Sequence, residues 1–300
     1  MAIEQVLAVD LGQSGCRIRQ GDFEVSSQRG KLAGESPVDA LRAVFESNQN
    51  LSADVVSLSC TGFNGVVPSP HIYGALCAEY FGATKVAVID DGFAGFIGAL
   101  NGRNGVVLSI GGGVVAVGGL DGNFAHRDGL GSTFGDEGGG FWLGKLAITK
   151  ALGIRQGRGD DQEMLSYFHE ECAAFDALEV KNSVDAATLA IRTAQKVLSA
   201  ADQGVSTATA IIDEGAYLLA QTVVATWYGC GGAKNDSPEI VIQGGLARNA
   251  TYATKIALEI NAKLPFAVVV KSRGDNLDGA QWIATNMAQD APPLMLWSRQ

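Results

Sequence analysis

Two short glycine-rich turns, each between two apolar runs, constrain this chain more than any other feature. Leu11–Gly15, within Asp10-Leu-Gly-Gln-Ser-Gly15, joins Val6–Val9 to Cys16–Arg19, and Gly111–Gly113 joins Val106–Ile110 to Val114–Gly118. Each reads as a β-hairpin with glycines where the turn needs backbone angles that other residues resist. A tight hairpin needs one or two glycines. A third in a row forfeits chain entropy and predicts a bulky partner lying against the backbone. Successive amides in such a turn form a concavity that suits an anion. Neither turn is a P-loop, because no Gly-Lys-Ser/Thr follows. Neither is a dinucleotide fingerprint, because a strand and not a helix comes next.

The periodicity around these turns alternates between strand and helix. A strand at Phe23–Ser27, a helix over Val38–Asn50, a strand at Val55–Leu58, a helix over Ile72–Phe81, a strand at Val86–Ile89 and a helix over Phe93–Leu100 follow the first hairpin. The second hairpin is followed by a third strand at Leu120–Ala125 and by helices over Phe141–Leu152, Val184–Ala201 and Thr207–Tyr228. Alternation then resumes with strand Ile240–Gln243, helix Ala250–Leu264, strand Phe266–Val270 and helix Asp278–Met287. Two halves that open alike predict a duplicated α/β fold. The boundaries are a first domain at 1–101 and a second at 102–300. The second carries a helical insertion over about 153–235, and its last helix packs on the first domain. Gly153–Glu163 reads as an exposed loop.

Composition excludes several classes. With 47% apolar and 18% charged residues the chain is globular, and its net charge of −10 argues against nucleic acid and membrane surfaces. Only local cations such as Arg127, Arg155, Arg158, Arg248 and Arg273 are left to meet a small anion. The five cysteines are widely spaced without a CxxC pair, which reads as reduced thiols, and the N-terminal residues show no signal-peptide pattern. The expected location is the cytoplasm. The three histidines share no metal spacing, and there is no Gly-x-Ser-x-Gly elbow.

Carboxylates stand where α/β folds place their sites. Asp10 ends a strand beside the first turn, where it could hold a hydrated Mg²⁺. Asp90 and Asp91 end another buried strand ahead of a helix; one is expected to cap that helix and the other to accept a proton. Gly129–Gly144 carries Asp136 and Glu137 in a bed of glycines, which suits hydrogen bonding to a polyol. Gly244-Gly245 ends the strand Ile240–Gln243 and gives a flat surface for an adenine or ribose.

Taken in order, DLGQSG, VIDDG, SIGGG, IQGGLARN and LDGAQWIA resemble the phosphate, connecting and adenosine motifs of the actin / hexokinase / Hsp70 superfamily. Within it, FGDEGGGFWLG resembles the signature of the N-acetylglucosamine kinase / BadF-BadG-BcrA-BcrD ATPase family. The resemblance spans Leu7 to Ala284. It implies two ribonuclease H-like lobes with an interlobe cleft, a homodimer, and ATP-dependent phosphorylation of an amino-sugar hydroxyl. By the same resemblance Asp91 is the catalytic base, and Asp10, Gly12, Gln13, Ser14, Gly111, Gly112, Gly113, Gly244, Gly245 and Arg248 serve ATP, with Mg²⁺ near Asp10. Thr61, Gly62, Asp91, Gly112 and Asp136 face the sugar. The chain departs from the family at Gln13, where glycine or threonine is usual. It also departs at Gly112 (threonine), Val114 (serine) and Leu130 (tryptophan in some sugar kinases). Two other readings remain. One is an activator ATPase of the BadF/BadG type, which needs an iron–sulfur cluster on interfacial cysteines. The other is a non-catalytic nucleotide or sugar binder, for which three retained carboxylates would be superfluous.

Overall fold

The structure, a computed structural model, describes residues 4–32, 34–48, 50–63, 66–286 and 294–299. The chain divides into two compact units, Met1–Asn104 with Lys271–Gln300, and Gly105–Val270. The sequence boundary assigned all of 102–300 to the second domain. The chain instead returns to the first unit at Lys271, bringing a strand as well as the last helix.

The first unit holds strands β1 (Val6–Leu11), β2 (Cys16–Gln20), β3 (Phe23–Ser27), β4 (Val55–Cys60), β5 (Lys85–Asp90) and β11 (Leu294–Ser298). Its helices are α1 (Pro37–Phe45), α2 (His71–Phe81), α3 (Asp91–Leu100) and α10 (Asn276–Asn286). The strands form one sheet in the order β11-β5-β4-β1-β2-β3, with β1, β4 and β5 parallel. Those three read as unbroken apolar runs because both faces are covered. Leu7, Val9 and Leu58 pack with Leu41 and Phe45 of α1 and Tyr73 and Leu76 of α2, while Ala8 meets Leu277 and Ala280 of α10. Each such large side chain contributes about 1.5–3 kcal/mol when fully buried. Helices α3 and α10 cross with their backbones in contact. A Cβ on Gly98 would stand 1.9 Å from the Asp275 carbonyl oxygen, and one on Gly279 would stand 1.9 Å from that of Ala94.

The second unit holds strands β6 (Gly105–Ile110), β7 (Val114–Leu120), β8 (Asn123–Asp128), β9 (Glu239–Gln243) and β10 (Val268–Val270). Its helices are α4 (Gly140–Arg155), α5 (Gln162–Tyr167), α6 (His169–Asp176), α7 (Val184–Asp202), α8 (Ser206–Gly229) and α9 (Ala250–Lys263). Its sheet order, β10-β9-β6-β7-β8, repeats β5-β4-β1-β2-β3 of the first unit strand for strand. The expected α/β fold of two ribonuclease H-like units is therefore present, the second enlarged by the helices between β8 and β9.

Some elements differ from expectation. The third strand of the second hairpin system starts at Asn123, not Leu120. Asp121 (φ 49°) and Gly122 (φ 85°) form the two-residue turn that Asp-Gly favours, so β7 runs on to Leu120. Helix α1 stops at Phe45, after which the polar Glu46-Ser47-Asn48 offers no further apolar contact. Of the expected 153–163 loop only 156–161 lies outside a helix, since α4 continues to Arg155 and Asp161 caps α5 through the Met164 amide at 2.9 Å. Helix α5 and the span of α6 were not anticipated; one buried residue in each, Met164 and Cys172, is too few to show a period. Strand β11 was also missed. Its partner β5 lies far away in sequence, and Trp297 covers Gly74 of α2, where a Cβ would stand 2.1 Å from the indole. The last helix begins at Asn276, two residues early, because Asp275 and Asp278 cap each other's amides. The expected end at Met287 lies outside the described residues.

Candidate functional site

In the first unit, the sheet register gathers the predicted residues. Leu11 pairs with Cys60, and Cys60 with Asp90, across three adjacent parallel strands. The next residues, Gly12, Thr61 and Asp91, therefore leave the sheet side by side, with strands about 4.8 Å apart. The first hairpin closes with the Gly12 amide donating to the Gly15 carbonyl at 2.9 Å. Among the described residues, the amides of Gln13 and Ser14 at its exposed tip have no protein acceptor. Both are therefore open to an anion.

Asp90 and Asp91 divide their roles. Asp90 is buried and caps α3, accepting from the Gly92 amide at 3.0 Å. Asp91 occupies the first turn of α3, half-buried, and accepts a hydrogen bond from the Thr61 hydroxyl. Burial, reinforced by the charges of Asp90 and Asp10, pushes the Asp91 carboxyl up to about 6, although Thr61 and the Gly92 amide act the other way. A carboxylate tuned towards neutrality is suited to accept a proton.

Asp10 is not free. Its Oδ2 accepts from Arg17 at 2.8 Å and its Oδ1 from the buried Ser59 hydroxyl at 3.0 Å. Arg17 also donates to Asp275 at 2.7 Å, tying the start of α10 to this hairpin. Neither Arg17 nor Ser59 was singled out in the sequence. Arg17 was within reach of a hairpin argument, because it is the cross-strand partner of Asp10 in the antiparallel β1–β2 pair, whereas Ser59 faces Asp10 only through the parallel pairing of β1 with β4. Gly62, beside Thr61, has φ 94°, a conformation that favours glycine. Asn64 and Gly65 of the same turn lie outside the described residues.

In the second unit, the glycine motifs meet at the ends of two parallel neighbours. Ser109 of β6 pairs with Gln243 of β9, whose side chain donates to the Ser109 hydroxyl at 3.1 Å. Gly244 (φ 103°) lies against β6, where a Cβ would be 2.4 Å from the Ile110 carbonyl oxygen. Around Gly245 there is open space, and Arg248 is exposed at the end of a single 3₁₀ turn that precedes α9. The carbonyls of Gly111 and Gly112 accept from the Gly140 and Phe141 amides, both at 2.9 Å. The first turn of α4 is thus spent on the hairpin. Ile191 of α7 covers Gly112.

Asp136 serves this hairpin directly. Its Oδ1 accepts from the Val114 amide at 2.9 Å, and Asp128 accepts from the Asp136 amide at 2.8 Å. An open cavity of about 350 Å³ lies here, lined by Ser109, Gly111, Gly113, Val114, Gly129 and Asp136 among others. A Cβ on Gly113 would stand 2.7 Å from the Asp136 carboxylate. Gly113→Ala is accordingly expected to displace that carboxylate from the Val114 amide and to lower stability by about 1–3 kcal/mol, measured by thermal unfolding.

All five cysteines are unpaired and buried, and burial pushes the Cys16 thiol up to about 12. Among the described residues, no group of three or more His, Cys, Asp or Glu could hold a metal, and no helix is long and apolar enough to cross a membrane.

By structure, the chain is similar to a candidate N-acetylglucosamine kinase from Chromobacterium violaceum, with 20% identity, 93% of this chain and 98% of that one covered, and a TM-score of 0.60. A second candidate N-acetylglucosamine kinase, from Porphyromonas gingivalis, gives 14% identity over 94% and 100% with a TM-score of 0.59. A ROK family glucokinase from Streptomyces griseus, in complex with glucose and AMPPNP, gives 14% identity over 94% and 98% with a TM-score of 0.51. At these identities the likeness is one of fold. A search of curated proteins by sequence found no match. The decisive finding is a family model that matches residues 4–281, nearly the whole chain: this protein belongs to the BadF/BadG/BcrA/BcrD ATPase family.

Proposed function

We propose that the protein is an ATP-dependent kinase that phosphorylates a hydroxyl of an amino sugar, N-acetylglucosamine or a related hexosamine, with Asp91 as the base. The observation that carries this reading is the Asp91 carboxyl. It is half-buried, oriented by Thr61, raised to about 6, and set in register beside the first hairpin. Family membership and fold neighbours that include a glucokinase with bound AMPPNP support ATP as the nucleotide.

Phosphoryl transfer asks the protein mainly to position groups and balance charge. In the first unit, Gln13 and Ser14 would offer amides to phosphate oxygens, and Asp91 would orient the sugar hydroxyl and take its proton. In the second, Gly111–Gly113 would serve the phosphates, Gly244-Gly245 and Arg248 the adenosine, and Asp136 with Gly112 the acceptor. Among the described residues, Oδ2 of Asp136 takes no hydrogen bond comparable to that of Oδ1 with the Val114 amide. The amides of Gln13 and Gly112 would stand in for the hydroxyls lost at those positions, whereas the Val114 amide is taken by Asp136.

Mg²⁺ fits this site in one way. Each Asp10 oxygen already accepts one hydrogen bond, from Arg17 or Ser59, and keeps a lone pair for a metal-bound water. Asp10 would therefore hold the ion through water, and the ion would neutralise phosphate charge. The family match is shared by the activator reading, but all five cysteines are buried, which leaves none exposed where a second subunit could share a cluster.

An ADP-release assay across N-acetylglucosamine, glucosamine, N-acetylmannosamine, a muramic derivative and glucose tests the proposal. Release above background with at least one hexosamine, abolished by EDTA and restored by Mg²⁺, is expected. Background release with every sugar despite ATP binding would sink it. The acid limb of kcat/KM for the acceptor should bend near pH 6, with activity falling as Asp91 is protonated.

A further inference from the structure

Lys31 sits where the first hairpin meets the turn that holds Thr61. Gly30 lies flat on the hairpin tip: a Cβ there would be 2.4 Å from the Gln13 carbonyl oxygen and 2.5 Å from the Gly15 nitrogen. The Lys31 amide then donates to the Gly12 carbonyl at 2.9 Å. From that anchor the side chain crosses to Gly62, where a Cβ would stand 2.9 Å from Lys31 Cε and 3.4 Å from Nζ. A larger residue at position 62 would push the lysine aside. The ammonium thus bridges the ends of β1 and β4, one residue from the Thr61 hydroxyl that binds Asp91.

The surrounding carboxylates are already committed. Asp10 is held by Arg17 and Ser59, and Glu35 by Arg29 and the Leu32 amide. Among the described residues, Lys31 forms no ion pair. Glu35 feels the charge of Lys31 only after its stronger bonds to Arg29 and the Leu32 amide, so a half-buried cation anchored on the turn that carries two open amides is left to meet an incoming anion.

We propose that Lys31 is a catalytic residue that grips the terminal phosphoryl group of bound ATP and follows it to the acceptor. This rests on the nucleotide-binding reading of the first hairpin, not on the identity of the sugar. The bond between the β–γ bridging oxygen and the γ-phosphorus breaks as the acceptor oxygen–phosphorus bond forms. The hydroxyl proton passes to Asp91, and ADP leaves with the bridging oxygen. Throughout, Lys31 offsets the negative charge on the moving group. Its backbone anchor on the phosphate turn favours the γ-phosphoryl over the other anion that could lie there, a carboxylate on an acidic sugar.

The test compares AMPPNP and ADP affinities, by calorimetry, in wild type, Lys31→Met and Lys31→Arg. Methionine keeps the stem that covers Gly62 and removes the charge. The methionine variant should lose about tenfold to a hundredfold in AMPPNP affinity, with ADP affinity unchanged and arginine restoring most of the loss. Equal losses for both nucleotides, or no loss for either, would overturn the proposal. So would an unchanged AMPPNP-to-ADP ratio with a raised KM confined to the muramic acceptor, because the lysine would then belong to the sugar. If wild type phosphorylates no hexosamine, the kinase reading fails while the affinity ratio still decides the role of Lys31.

Discussion

Asp91→Asn is expected to bind ATP as tightly as wild type, to lose about a thousandfold in kcat, and to melt higher than wild type at pH 8. The kinetic effect follows from removing the proton acceptor beside the acceptor turn, a change typically worth 10²- to 10⁴-fold. The stability effect has the opposite sign to most substitutions. In the folded chain the Asp91 carboxyl is raised from 3.8 to about 6, so it binds its proton more tightly than in the unfolded chain. The folded state is thus favoured below pH 4, and that advantage is lost as pH rises through 6. Above this window the ionised carboxylate costs about 1–3 kcal/mol, which asparagine avoids. Melting curves of the two proteins should diverge between pH 4 and 6 and coincide below pH 4. A variant that turns over sugar at the wild-type rate removes Asp91 from the mechanism. One that melts lower at pH 8 contradicts the electrostatic account of its environment.

Gly279→Ala is expected to destabilise the first unit by about 3 kcal/mol or more. Helix propensity alone predicts a gain of about 1 kcal/mol, since Gly279 lies inside α10 and alanine is the better helix former. Packing reverses the sign. The new methyl would stand 1.9 Å from the Ala94 carbonyl oxygen and 2.9 Å from the Gly98 nitrogen, and both are backbone atoms of α3 that no rotamer change can move. Gly153→Ala in α4 is the matched control. The nearest atom to a Cβ there is 3.9 Å away on the Arg158 side chain, so propensity should win and the melting temperature hold or rise. The Gly279 effect should also reach the nucleotide. Helix α10 starts at Asp275's cap, Asp275 holds Arg17, and Arg17 holds Asp10. Weakened ATP binding at temperatures below unfolding is therefore expected. A Gly279→Ala protein as stable as the wild type would mean that α3 and α10 can separate at little cost.

The amino-acid sequence by itself determined the two hairpins, the parallel strands between them, the recurrence of the pattern, and the strand ends that carry Asp10, Asp91 and Gly244. Those features are local: glycines mark turns, unbroken apolar runs mark strands covered on both faces, and carboxylates at strand ends follow within one or two residues. Tertiary structure decided what depends on partners distant in sequence. Register across β1, β4 and β5 put Gly12, Thr61 and Asp91 abreast and left Asp90 to cap α3. The returning segment supplied α10 and β11, whose short apolar patterns gain meaning only against α3 and β5. Lys31 makes the contrast plain. It is an ordinary turn residue in the sequence, and only folding lays its ammonium across Gly62, because the role of a charge is set by what surrounds it.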